Sequence, residues 1–123
     1  MKKLGIVGGR DFDVKNPEYR KLFLSVVHKE YDWLNDYCEI VSGGARGADS
    51  MGRDYATTNG AILYKEFPAE WNKYGRSAGY KRNRLIVEYA DEVIAFWDGK
   101  SRGTKHTIDL CEELGVPCRI INY

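Results

Sequence analysis

The chain has 123 residues, which fits one domain and hardly two. Apolar residues make up 43% of it, enough for a core, while the 30% that are charged nearly cancel to a formal net charge of +1. That balance excludes a protein that grips duplex DNA by overall charge, because phosphate neutralisation needs a basic face.

No apolar run is long enough to span a bilayer. The opening MKKLGIVGG has only four residues between its lysines and its paired glycines, so it reads as a strand rather than a signal peptide. Cys38, Cys111 and Cys118 have no metal-ligand spacing and cannot all pair. They are expected to be reduced thiols of a cytoplasmic protein, with no metal and no membrane partner.

Short apolar runs alternate with helical patterns. Lys3 to Val7 reads as a strand ended by Gly8 and Gly9. Pro17 starts a helix whose stripe runs through Tyr19, Leu22, Phe23, Val26, Val27 and Leu34. A strand is expected over Glu39 to Val41, then a helix over Ala48 to Asn59 that Asn59-Gly60 stops. Ala61 to Phe67 reads as a strand, Gly79 to Tyr89 as a helix and Glu92 to Trp97 as a strand. Gly103 to Leu114 is a helix and Val116 to Ile121 the last strand. This alternation predicts one Rossmann-like, doubly wound α/β domain over residues 1–123. About five parallel strands in the order 3-2-1-4-5 would carry helices on both faces. Its ligand would sit beyond the carboxyl ends of the strands, near the switch between the first and fourth.

Three of those ends carry unusual chemistry. GGRDF supplies Gly8 and Gly9, which permit close backbone approach and positive φ, and Arg10, a planar cation for phosphate or carboxylate. SGGARGAD places Ser42, Gly43, Gly44, Arg46, Gly47 and Asp49 between a strand and a helix N-terminus, a setting that attracts anions. Asp49 there would accept a ribose hydroxyl or cap the helix. The third end, WDGKSRGTKHT, supplies Trp97, Asp98, Gly103 and Thr104, with the last two opening a helix. Between the second and third lies PAEWNKYGRSAGYKRN, long, aromatic and basic, which reads as a binding lip around Trp71, Tyr74 and Arg76. The overlapping stretch from Lys73 to Arg84 has five cations, Lys73, Arg76, Lys81, Arg82 and Arg84, and no acid. His28 and His106 read as helix-surface residues, and no catalytic triad stands out.

Together GGRDF, SGGARGAD, FPAEWNKYGRSAGYKRN and FWDGKSRGT resemble the SLOG superfamily, specifically its YspA/YpsA-related branch, over nearly the whole chain. The resemblance implies a Rossmann-like domain associated with nucleotides or ADP-ribose relatives in a bacterial or phage protein. The superfamily includes the Lonely Guy phosphoribohydrolases and DNA-processing protein A. Arg82 and Asp91 keep the nine-residue spacing of the Lonely Guy enzymes, and Gly103 and Thr104 match their GT. Thr107 stands where those enzymes carry a glutamate, and threonine holds no charge at neutral pH.

The expectation is therefore a protein that senses or sequesters a nucleotide or ADP-ribose-like ligand, with no catalytic residue and no required cofactor. Backbone N–H groups around Gly43, Gly44, Gly47, Gly103 and Thr104 would hold phosphate. Arg10, Arg46 and Arg82, followed by Asn83, would supply charge and polar contacts, Asp49 or Asp98 would hold ribose, and Trp71, Tyr74 or Trp97 would stack on the base. Arg84 would face away from Arg82. A homodimer or higher homo-oligomer is expected. The alternatives are a phosphoribohydrolase that cleaves an N-glycosidic bond, and a single-stranded nucleic-acid binder that uses the basic aromatic segment.

Overall fold

The computed structural model describes residues 1–123. Strand β1 (Lys2–Gly8) buries Leu4 and Ile6 on one face of the sheet and Val7 on the other, as the two-residue period of a strand requires. Helix α1 (Pro17–Val27) starts where expected: the Asn16 side chain accepts the Glu18 N–H at 2.9 Å, and Pro17 occupies the first turn. It ends at Val27, one turn and more before Leu34. The Asp32 carboxylate accepts the N–H groups of Leu34 and Asn35, both at 3.0 Å, and so folds a turn. Trp33 donates its indole N–H to the Val27 carbonyl at 2.9 Å. Leu34 is consequently 79% exposed and does not belong to the buried stripe.

Strand β2 (Tyr37–Ser42) leads to helix α2 (Ala48–Thr58), and strand β3 (Leu63–Glu66) follows. β3 is shorter than predicted because the Ile62 N–H turns back to the Asn59 carbonyl. The segment read as one long loop contains a single helical turn, α3 (Trp71–Tyr74), and a 3₁₀ turn (Gly75–Ser77) that runs into helix α4 (Ala78–Tyr89). Strand β4 (Glu92–Trp97) and helix α5 (Arg102–Leu114) follow, with Ser101 capping the Thr104 N–H of α5. Strand β5 (Cys118–Asn122) begins after Pro117, and the Val116 N–H instead closes the α5 terminus onto Cys111.

All five strands are parallel in the order β3-β2-β1-β4-β5, so the predicted α/β Rossmann-like topology is the observed one. Helices α1 and α2 cover one face over Leu4, Ile6, Ile40, Ile94 and Phe96. The other face carries α4 and α5 over Val7, Val41, Val93 and Ala95. Chains leaving β1 and β4 therefore part to opposite faces and open a crevice at their carboxyl ends. No helix is long and apolar enough to cross a membrane. The three cysteines are unpaired, Cys111 buried and Cys38 and Cys118 half-buried.

Phe96 anchors the first face. It is fully buried and stacks on Phe12 at 4.6 Å and Phe23 at 5.7 Å between ring centroids. Phe96→Ala should cost about 3–5 kcal/mol in urea unfolding, while Leu34→Ala should stay within about 0.5 kcal/mol. A Leu34→Ala loss as large as that of Phe96→Ala would contradict this division of the core.

Candidate functional site

The crevice is built by three loops locked to one another. The loop after β2 turns twice through left-handed glycines, Gly44 at φ 72° and Gly47 at φ 85°. A Cβ on Gly47 would lie 2.1 Å from the Gly9 carbonyl oxygen, and the Ala48 N–H donates to that carbonyl at 3.3 Å. The start of α2 thus rests on the backbone of the loop after β1. Gly8 and Gly9 answer to the same crowding. A Cβ on Gly8 would meet the Phe96 carbonyl at 2.6 Å, and one on Gly9 would meet the Tyr123 hydroxyl at 2.1 Å. Neither has positive φ. The expected positive φ is corrected: protein packs where their side chains would stand, while both still line the cleft described below.

Asp49 fixes the second loop from below. It is buried, and its carboxylate accepts the N–H groups of Gly43, at 3.1 Å, and of Ala45. Burial pushes its pKa up to about 6, against the pull of Arg82, the two N–H groups and Arg10. Arg82 reaches across from α4. It donates to the Gly43 carbonyl at 3.1 Å and to the Asn83 side chain at 3.0 Å, and any Cβ on Gly43 would collide with it. Two of its five N–H donors are engaged in this way. Asn83 is buried and bonds the Gly103 carbonyl and the His106 ring, both at 3.3 Å, tying α4 to the start of α5. Burial holds the His106 pKa below its ordinary value.

A cleft of about 540 Å³ lies over this floor. Its walls include Gly8, Gly9, Arg10, Asp49, Trp71, Arg82, Asn83, Asp98, Gly103 and Thr104, so ten of the predicted residues meet there. A second cleft of about 390 Å³ adjoins it and adds Gly43, Gly44 and Arg46. The chain's four ion pairs use Arg53, Arg84, Lys105 and Arg119, so Arg10, Arg46, Arg76 and Arg82 form no ion pair, and Asp11, Asp49, Asp98 and Glu66 line the same clefts. Arg84 pairs with Glu88 and lines neither cleft.

Other predicted residues have different duties. Ser42 is fully buried and bonds the Asp49 carbonyl and the Tyr64 hydroxyl. Trp97 turns from the clefts and donates its indole N–H to the Ser101 carbonyl at 3.1 Å. Asp98 accepts the N–H groups of Ser101 and Lys100, both at 2.8 Å, which lower its pKa. Tyr74 lies outside the cleft walls, with Lys73 and Lys81 over its ring. Thr107 does reach the larger cleft, where its hydroxyl donates to the Gly103 carbonyl.

Tyr80 and Gly79 were not singled out by the sequence reading, yet both line the larger cleft. The Trp71 ring sits 3.3 Å from where a Gly79 Cβ would stand, so this glycine seats the indole. Tyr80 meets the His106 ring edge-on at 4.4 Å. The aromatics of the lip stay in solvent: Trp71 is 51% exposed, Tyr74 38% and Tyr80 49%. Their alternation with lysine and arginine was the available signal for Tyr80.

No protein-family model matches the chain. The Gene 61 protein of Mycobacterium phage D29 is 34% identical over 89 residues, which cover 68% of this chain and 70% of that protein. Among solved structures, DNA processing protein A from Helicobacter pylori, a protein with a unique single-stranded DNA binding mode, superimposes with a TM-score of 0.66 at 20% identity. The match covers 97% of this chain and 64% of that one, so this chain spans less than two thirds of its length. The shared fold is Rossmann-like.

The expected nucleotide or ADP-ribose-like ligand is overturned by this comparison, since the solved neighbour binds single-stranded DNA. The site gives the physical reason. Asp49 and Asp98, the intended ribose ligands, already hold backbone N–H groups. The exposed aromatics continue along the lip beyond the cleft, as a surface rather than an enclosure.

Two outcomes test this floor. Gly47→Ala should lower stability by about 1–3 kcal/mol through its φ alone, whereas Gly103→Ala, with nothing within 4 Å, should not destabilise. For Asp49, a folded pKa raised to about 6 from 3.8 means that the ionised form is disfavoured by folding. Wild type should therefore gain stability relative to Asp49→Asn as pH falls from about 6 towards 3.8, and gain no more below that. Urea titrations across that range would read a constant difference if the carboxylate were freely solvated.

Proposed function

The chain belongs to the family of the Gene 61 protein of Mycobacterium phage D29, and from that premise we propose that it binds single-stranded DNA along the carboxyl-end face of its sheet. One observation carries the reading: Trp71, Tyr74 and Tyr80 are exposed along the lip and interleaved with Lys73, Arg76, Lys81 and Arg82, none of which is in an ion pair. Bases stack on exposed rings while a positive groove follows the phosphates, and every base has a face to stack. Arg10, Arg46, Arg76 and Arg82 meet phosphate, and Trp71 and Tyr80 meet bases. The near-zero net charge weighs against nucleic acid held by overall attraction, so binding would depend on the local cations and rings of this face. The binding mode of DNA processing protein A in the same fold supports the reading. We also assign the chain to the YspA/YpsA-related branch of the SLOG superfamily, on its four motifs in order.

Fluorescence anisotropy with labelled oligothymidylate and a matched duplex tests the proposal. The single strand should bind more tightly, and log K should fall with log salt by about 0.7 for each phosphate held. Trp71→Ala should lose about 1–3 kcal/mol of binding, the value of one stacked base. Arg82→Ala should weaken binding about ten- to a hundredfold, as expected for a charge-assisted bond, and should also lower the melting temperature by freeing the Gly43 loop. Arg84→Ala should leave binding near wild type. Equal affinity for strand and duplex, or equal effects of the two arginine variants, would overturn it.

A further inference from the structure

The two clefts share one wall: Arg10, Ala45, Trp71 and Arg82 line both. Arg10 and Arg82 form a cationic ridge there, each acting on the buried Asp49 carboxylate beneath it. We propose that this ridge holds a phosphodiester and that the site takes a dinucleotide step, with one nucleoside in each cleft. The inference rests on the single-stranded DNA reading above and adds where the strand is gripped.

Charge distribution favours this placement. Arg82 keeps three N–H donors beyond its bonds to Gly43 and Asn83, and Arg10 is in no ion pair. Two guanidinium groups astride a boundary suit an anion bridging both sides. The cleft interiors suit phosphate less. The smaller one contains Glu66, whose carboxylate lies against Gly44 and repels an anion. Asp11, Asp49 and Asp98 line the larger, where the Trp71 and Tyr80 rings offer a surface for a base. Trp71 borders both clefts, so one indole meets the step from either side. Each cleft has a volume in or near the range of sites that hold small molecules, about 300–1,000 Å³, so each has room for a nucleoside.

Calorimetry with thymidine, thymidine monophosphate, the dinucleotide d(TpT) and d(TpT) with an uncharged methylphosphonate linkage tests the step, beside an oligothymidylate of about 16 nucleotides. The dinucleotide should bind at least about tenfold more tightly than the monophosphate, and the uncharged linkage should erase that gain, as loss of a charge-assisted contact does. Arg10→Gln should bring d(TpT) down to the same level; the Arg10 side chain anchors no loop in the way that Arg82 does. If the long strand binds but d(TpT) gains nothing over the monophosphate, or tolerates the neutral linkage, the dinucleotide step is wrong and the broader reading stands. Should the long strand itself fail to bind, both fall.

Discussion

The contact between Gly47 and the Gly9 carbonyl sets the geometry of everything beyond the strand ends. At that point the loop after β2 has no room for even one extra carbon, and the first N–H of α2 lands on the loop after β1. The juxtaposition fixes where Arg10 and Arg46 start. Asp49, one residue into the helix from Ala48, then reaches back to hold Gly43 and Ala45. Arg82 closes the arrangement by lying over Gly43, where only a glycine leaves space for a guanidinium. Three sequence-distant cations converge because glycines allow backbones to touch.

The same packing sorts the charges of the face into two groups. Three carboxylates are tied to protein donors: Asp49 and Asp98 bind backbone N–H groups, and Asp11 accepts the Tyr123 hydroxyl. Arg10, Arg46, Arg76 and Arg82 are without ion-pair partners. Four arginines and four carboxylates thus line the clefts, so any anion there is held by individual guanidinium groups rather than by a net charge. The exposed rings beside those arginines are costly to leave in water unless a flat apolar partner covers them. Bases of a single strand are such partners, and the strand's phosphates are the matching anions.

The strand order and both helical layers were legible in the sequence, because each strand is a short apolar run and each long helix a clear stripe. Leu34 misled because its spacing continues the α1 stripe, while the Asp32 turn that ends the pattern depends on a side chain whose local bonds override periodicity. The site was readable as a place and less so as a set of duties. Gly8, Gly9, Ser42 and Trp97 sit where the motifs put them but serve protein packing and bonding, which depends on neighbours from other strands such as Phe96 and Tyr64. Tyr80 lies within the same basic aromatic segment, and its exposure becomes clear only once α4 is docked on its other side through Asn83, Ile86 and Val87.

Amide chemical shifts followed by NMR during titration with oligothymidylate give the most direct test of the binding face. The account predicts saturable shifts at Arg10, Gly43 to Arg46, Trp71, Arg76 to Arg82 and Gly103, with Lys2, Tyr37 and Glu92 at the opposite ends of the strands unmoved. Shifts centred on those opposite ends, or no saturable shift at any strand concentration, would contradict it.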